Sequence, residues 1–153
     1  MQATPQTIQQ LIQRFNQGHL AEVEQQAKAL IAHNPREFIL HHVLSLALDQ
    51  QQKYAEAVDS YRAAIQLKPT MPDLYFNLAI ALTHINQLED AETAYRQAIK
   101  LQSNFFEAHG NLGTLLQRQG KLDEAIQSYQ NGLRINPQDA RGYFNLGTVL
   151  RDK

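Results

Sequence analysis

The chain contains no cysteine. That absence excludes disulfides, thiolate metal sites and cysteine nucleophiles, and it fits a reducing compartment. Neither sign of charge is in surplus: 14 Lys and Arg stand against 15 Asp and Glu, for a formal net charge of −1. Nucleic acid and anionic membranes are held by clustered basic residues, so neither partner is expected. No apolar run approaches the roughly 20 residues that span a bilayer. The first residues, Met1 to Gln6, lack the basic-then-apolar order of a secretion signal. No stretch alternates with period two, so no strand is expected. No linker, low-complexity tract or block of like charge interrupts the chain. Together these absences predict a soluble, cytoplasmic protein with no membrane insertion.

What is present is a period. Asn77-Leu78-Ala79, Asn111-Leu112-Gly113 and Asn145-Leu146-Gly147 lie 34 residues apart (111 − 77 and 145 − 111). A second phrase keeps the same step at Ala57, Ala91 and Ala125. A long period carried by two phrases marks a repeat array. With 43% hydrophobic residues, such an array has enough apolar surface for a continuous core.

The units read as 4–37, 38–71, 72–105 and 106–139, followed by a half unit at 140–153. Thr4-Pro5 reads as a helix start, a capping hydroxyl before Pro at the first helical position. Ile8, Leu11, Ile12 and Phe15 then follow at helical spacing. Gly18 breaks the run and Pro35 ends the second helix. In the next three units the first-helix stripes are Leu40-Val43-Leu44-Ala47-Leu48, Tyr75-Leu78-Ala79-Leu82 and His109-Leu112-Gly113-Leu116. The answering second-helix stripes centre on Ala57-Tyr61-Ala64, Ala91-Tyr95-Ala98 and Ala125-Tyr129-Gly132. The half unit carries Tyr143, Leu146, Gly147 and Leu150, with Asp139 as its expected N-cap. Small residues at fixed places let helix axes approach closely, and one helix pair cannot bury both its faces, so pairs must stack.

These residues resemble tetratricopeptide repeats. The resemblance rests on the 34-residue period, Tyr75-Phe76-Asn77-Leu78-Ala79, Ala91 with Tyr95 and Ala98, and Asn136-Pro137. It covers nearly the whole chain. In the first unit Val23 and Leu30 stand where Ala is expected, and Ala27 replaces the large aromatic. The resemblance implies an all-α, right-handed superhelical solenoid of antiparallel helix pairs, about four repeats plus one terminal helix, in a single domain over 1–153. It also implies a concave groove lined by first helices, with a protein or peptide of unknown identity as partner. The units with Asn-Leu-Ala/Gly are similar to the repeats that precede the catalytic part of protein O-GlcNAc transferases. A substrate-recruiting region of a larger enzyme is therefore the alternative.

Helical spacing places a set of residues beside the core stripes, where the groove is expected. They are His42 in the second unit, then Phe76, Asn77, Ile80 and His84, then Asn111, Thr114 and Arg118, and finally Arg141, Phe144, Asn145 and Thr148. Asn77, Asn111 and Asn145 form a row. Each amide either pairs with the backbone of an extended ligand or bonds a neighbouring helix and holds the stack. Phe76 and Phe144 are either groove anchors or core. With Asp73 and Glu107 on the same face, Arg118 and Arg141 read as scattered, which argues against an acidic chaperone tail as ligand.

No catalytic residue, cofactor or metal is expected. His41 and His42 are adjacent and point to different sides, and no His pair has the i, i+4 spacing of a helical zinc site. There is no nucleophile elbow, phosphate-cradling loop or dinucleotide fingerprint, so the chain does not read as an enzyme. Glu89-Asp90 and Asp123-Glu124 open second helices, where negative charge suits the helix dipole. The half unit either serves as a polar cap or leaves an apolar face open to end-to-end association. A longer parent protein and self-association through the terminal helix are both expected.

The packing scheme makes a direct prediction. Ala91→Leu should overpack the helix contact and cost about 1–3 kcal/mol. Leu78→Ala should cost about 2–5 kcal/mol through lost transfer energy and a cavity. Urea denaturation reads both; unchanged midpoints would remove the scheme.

Overall fold

A computed structural model describes residues 2–153. Those residues form nine α-helices and no strand. They divide into two compact units. The first ends at Thr70 and holds α1 (Pro5–Asn16), α2 (Leu20–His33), α3 (Phe38–Gln50) and α4 (Tyr54–Leu67). The second runs from Met71 to Lys153 and holds α5 (Pro72–His84), α6 (Leu88–Leu101), α7 (Phe106–Arg118), α8 (Leu122–Ile135) and α9 (Ala140–Asp152).

Both predicted caps form. The Thr4 hydroxyl accepts from the Thr7 N–H at 3.2 Å, with Pro at the start of α1. The Asp139 carboxylate accepts from the Gly142 N–H at 2.9 Å. Between paired helices the chain turns through one left-handed residue each time, at Gly18, Gln52, Asn86 and Gly120. These positions are again 34 apart. Glycine adopts that conformation without cost, whereas Gln52 places a Cβ against the backbone there.

The predicted stripes of the second to fourth repeats are buried, apart from partly covered Tyr75. In the first repeat Val23, Ala27 and Leu30 are all inside, so the exchanged residues still fill the same core. The half repeat departs from expectation. Tyr143 and Leu150 are more than half exposed, and a Cβ on Gly147 would meet nothing within 4 Å. Among the described residues no second helix pairs with α9 over that stripe. What α9 buries instead is Gly142 and Val149, on the face that packs against α8.

That second buried face recurs in both units. Leu40, Leu74, Ala108 and Gly142 occupy one repeat position, and Ala47, Ala81, Leu115 and Val149 another; all eight are buried. Along the chain the first series shrinks while the second grows, which keeps the filled volume similar. The contact between Gly113 and Tyr129 is tight: a Cβ added there would lie 2.7 Å from the tyrosine ring.

Each unit also carries an ion network between its second helices. In the first, the Glu24 carboxylate accepts from Lys28 and Lys53, each at 2.7 Å, and Lys28 reaches on to Glu56 at 2.8 Å. In the second, Glu92 accepts from Arg96 at 2.9 Å and Lys121 at 2.7 Å, and Arg96 reaches Glu124 at 2.7 Å. Every member is displaced by 68 residues (92 − 24, 96 − 28, 121 − 53, 124 − 56), two repeats. Exposed pairs contribute little, but the Glu24 side chain is only 13% exposed. Hydrogen bonds from Lys28 and then Lys53 hold its pKa down at about 2, against 4.5 for the ordinary carboxyl. For Glu92 burial raises the pKa, but the bonds from Lys121 and Arg96 outweigh it and the net direction is down.

The sign of the linkage follows. A carboxyl whose folded pKa lies below its unfolded one stabilises fully above about pH 4.5 and loses that contribution as pH falls towards 2. Glu24→Gln should therefore have a lower urea midpoint than wild type at neutral pH. The gap should narrow steadily from about pH 5 to pH 2; a gap that ignores pH would show that the network adds no stability.

Candidate functional site

The first helices of the second unit present two adjoining cavities. The larger, about 470 Å³, is lined by Phe76, Phe106, Glu107, Gly110, Asn111, Tyr129, Asp139, Arg141, Gly142 and Asn145. The other, about 250 Å³, is lined by Ile80, Thr83, His84, Tyr95, Asn111, Thr114, Leu115, Arg118 and Arg141. Asn111 and Arg141 belong to both, so they stand on the shared wall. A third cavity, about 320 Å³, lies among α6, α7 and α8, with the Arg96–Glu124 pair at its edge and Leu112 and Leu116 in its lining.

Eight of the twelve residues read from the sequence line these two cavities: Phe76, Ile80, His84, Asn111, Thr114, Arg118, Arg141 and Asn145; Asn77 sits half-buried between Phe76 and Leu78 on α5 and lines neither. Arg118 and Arg141, far apart in sequence, share one cavity. Stacking of α7 and α9 brings the last turn of one near the first turn of the other, which spacing along a single helix does not reveal.

The remaining three lie elsewhere. His42 belongs to the first unit, half-buried, with its ring 5.4 Å from Phe38. Thr148 donates to the Phe144 carbonyl at 3.0 Å. Phe144 lines neither cavity and is 73% exposed. Its counterpart Phe76 is partly buried, packed on Phe105 at 4.7 Å and against Tyr95 at 6.0 Å between ring centroids. It serves the core and a cavity wall at once.

The tyrosines are the residues that spacing alone misassigns. Tyr95 and Tyr129 read as pure core, and their rings are buried. Their hydroxyl ends nevertheless reach the cavities, as expected of a side chain with an apolar body and polar tip. Thr83 and Asn111 stand beside the Tyr95 hydroxyl; burial raises its pKa and these polar neighbours partly offset the rise. The Tyr129 hydroxyl lies 3.0 Å from the Thr114 hydroxyl; here burial raises the pKa, with Thr114 and the Arg141 charge opposing. Phe106 was not anticipated at all. Asn111 thus has a structural neighbour in Tyr95, and its amide can still offer donors and an acceptor to a ligand.

Two histidines, His109 and His41, do structural work. His109 is buried, with its Nε2 3.1 Å from the Ser103 carbonyl. His41 repeats the contact with the Pro35 carbonyl at 2.9 Å. Among the described residues no three His, Asp or Glu side chains gather in a way that would hold a metal, and no helix is long and apolar enough to cross a membrane.

Comparison with known proteins agrees with this architecture. Solved structures similar to the chain include MamA, 21% identical over 92% of this chain and 82% of that one, with a TM-score of 0.88. They include YrrB, described as a TPR protein with an unusual peptide-binding site, 20% identical over 94% and 74%, with a TM-score of 0.86. The second TPR domain of human RPAP3, solved with the HSP70 peptide SGPTIEEVD, is 27% identical over 71% and 91%, with a TM-score of 0.68. No curated protein sequence matches. The TPR repeat profile matches residues 46–86, 81–120 and 116–152, and the left-handed turns, the buried small positions and the helix pairs all keep its 34-residue step: the chain belongs to the tetratricopeptide repeat family.

Proposed function

We propose that this chain is a protein-interaction module that binds an extended peptide, or an extended segment of a partner protein, along its first-helix residues. The observation that carries this reading is the pair of adjoining cavities with Asn111 on their shared wall. Each is sized for one or two side chains, and an amide between them suits the ligand backbone that must cross from one to the other. Peptide binding by the RPAP3 domain and by YrrB supports the same reading. The chemistry acts by recognition, in a cytoplasmic setting, with no cofactor. Self-association through α9 belongs to the same proposal, on the exposure of Tyr143, Phe144 and Leu150.

A second reading treats the chain as the substrate-recruiting part of a larger enzyme such as a glycosyltransferase. It is favoured by the Asn-Leu-Ala/Gly phrase that opens at α5 and recurs in α7 and α9. A catalytic domain encoded in the same native reading frame decides for it.

The test is a peptide selected from a display library on the wild-type protein, then titrated against an Asn77→Ala, Asn111→Ala double variant. Binding should weaken by about tenfold or more, equivalent to about 1.4 kcal/mol. The fold should survive, because the Tyr95 hydroxyl keeps Thr83 as a polar neighbour. Equal affinity in a folded variant would move the binding surface away from this row.

A further inference from the structure

The charges around the two cavities differ: Glu107 and Asp139 line only the larger, Arg118 only the smaller, and Arg141 both. The smaller cavity is lined by Arg118, Arg141 and His84 and by no carboxylate. Among the described residues neither arginine enters an ion pair with an acid; the Arg118 guanidinium donates to the Asn86 side-chain oxygen at a long 3.4 Å. Two weakly hydrated guanidinium groups around one opening favour a carboxylate, which each can engage with paired N–H donors. The larger cavity shares Arg141 but adds two carboxylates to it. Phe76, Phe106 and Tyr129 supply aromatic surface, with Glu107 and Asp139 beside them. A Lys or Arg side chain lays its stem on such rings and sets its charge against the carboxylates.

Resting on the peptide-binding reading above, we propose that the second unit selects an internal pair of oppositely charged residues in its ligand. An acidic side chain occupies the Arg118–Arg141 cavity, and a basic side chain nearby in the same peptide occupies the Phe76–Glu107 cavity. Arg118, which lines the smaller cavity alone, and the Glu107–Asp139 pair, which lines the larger alone, enforce the order, since each repels a like charge placed there. Asn111 on the shared wall holds the intervening backbone. Because the ligand continues from one cavity into the next, the acid is a side chain within the chain and not a terminal carboxylate. Swapping the two charges would put like against like in both cavities, which costs affinity as well as failing to gain it.

The probes are short Gly-Ser peptides, acetylated and amidated at their ends, carrying one Glu and one Lys in both orders and at several spacings. They are measured by fluorescence anisotropy against the full chain. One order and spacing should bind about tenfold or more tighter than the reversed order and than peptides with either charge alone. Arg118→Glu, at an exposed position, should remove that preference while leaving the helical circular dichroism unchanged. If display-selected peptides bind but the paired charges confer no advantage, the pair assignment falls and the peptide-binding reading stands. A Glu peptide with a free C-terminus that outbinds its amidated form would overturn the side-chain assignment. Failure of every peptide, selected or designed, would overturn both.

Discussion

Tyr129 lies against the small residue Gly113 of the preceding helix, the same repeat positions hold Tyr95 with Ala79 and Tyr61 with Ser45, and both fold and site depend on that pairing. Gly113 beneath Tyr129 has no room for a methyl group. Ala79 and Ser45 hold the matching positions before Tyr95 and Tyr61, and all are buried. The small residue sets how closely the helices approach. The ring fills the space between them, and its hydroxyl emerges on the far side. There it meets Thr114, or Thr83 and Asn111. One side chain therefore closes the core and also supplies the polar floor of a cavity. At Tyr61 burial and then the Asp49 charge push the hydroxyl pKa up, so the group stays neutral there.

Much of this was legible in the sequence because the period is enforced by packing. A residue such as Ala91 or Leu112 recurs because the next pair must fit the same hole, so spacing reports burial directly. The terminal repeat shows where that reasoning stops. Tyr143 and Leu150 carry the core pattern, but a pattern records what a face is suited to cover, whereas burial needs a partner. Gly142 and Val149 do find one, and their recurrence with Leu74 and Ala81 was present in the sequence as a second, quieter phrase.

The site was legible only in part, for a different reason. Helical spacing finds residues on one face of one helix; it does not find residues that meet across helices. Ile80, His84 and Thr114 were accessible to it. The meeting of Arg118 with Arg141, and the arrival of the Tyr95 and Tyr129 hydroxyls, depend on how α5, α7 and α9 stack. The Asn row divides for the same reason: Asn111 and Asn145 line cavities, while Asn77 lines neither.

The duplicated ion networks give the molecule a temperature dependence of its own. The cost of stripping water from charged groups falls as temperature rises, because their hydration is entropically unfavourable, while stabilisation per unit of apolar area levels off. Glu24 and Glu92, each held by two cations and linked through Lys28 or Arg96 to a further acid, then carry a growing share of cohesion on heating. Successive second helices are therefore tied by charge to a degree that grows with warming, while the alanine and tyrosine contacts within each repeat gain nothing comparable.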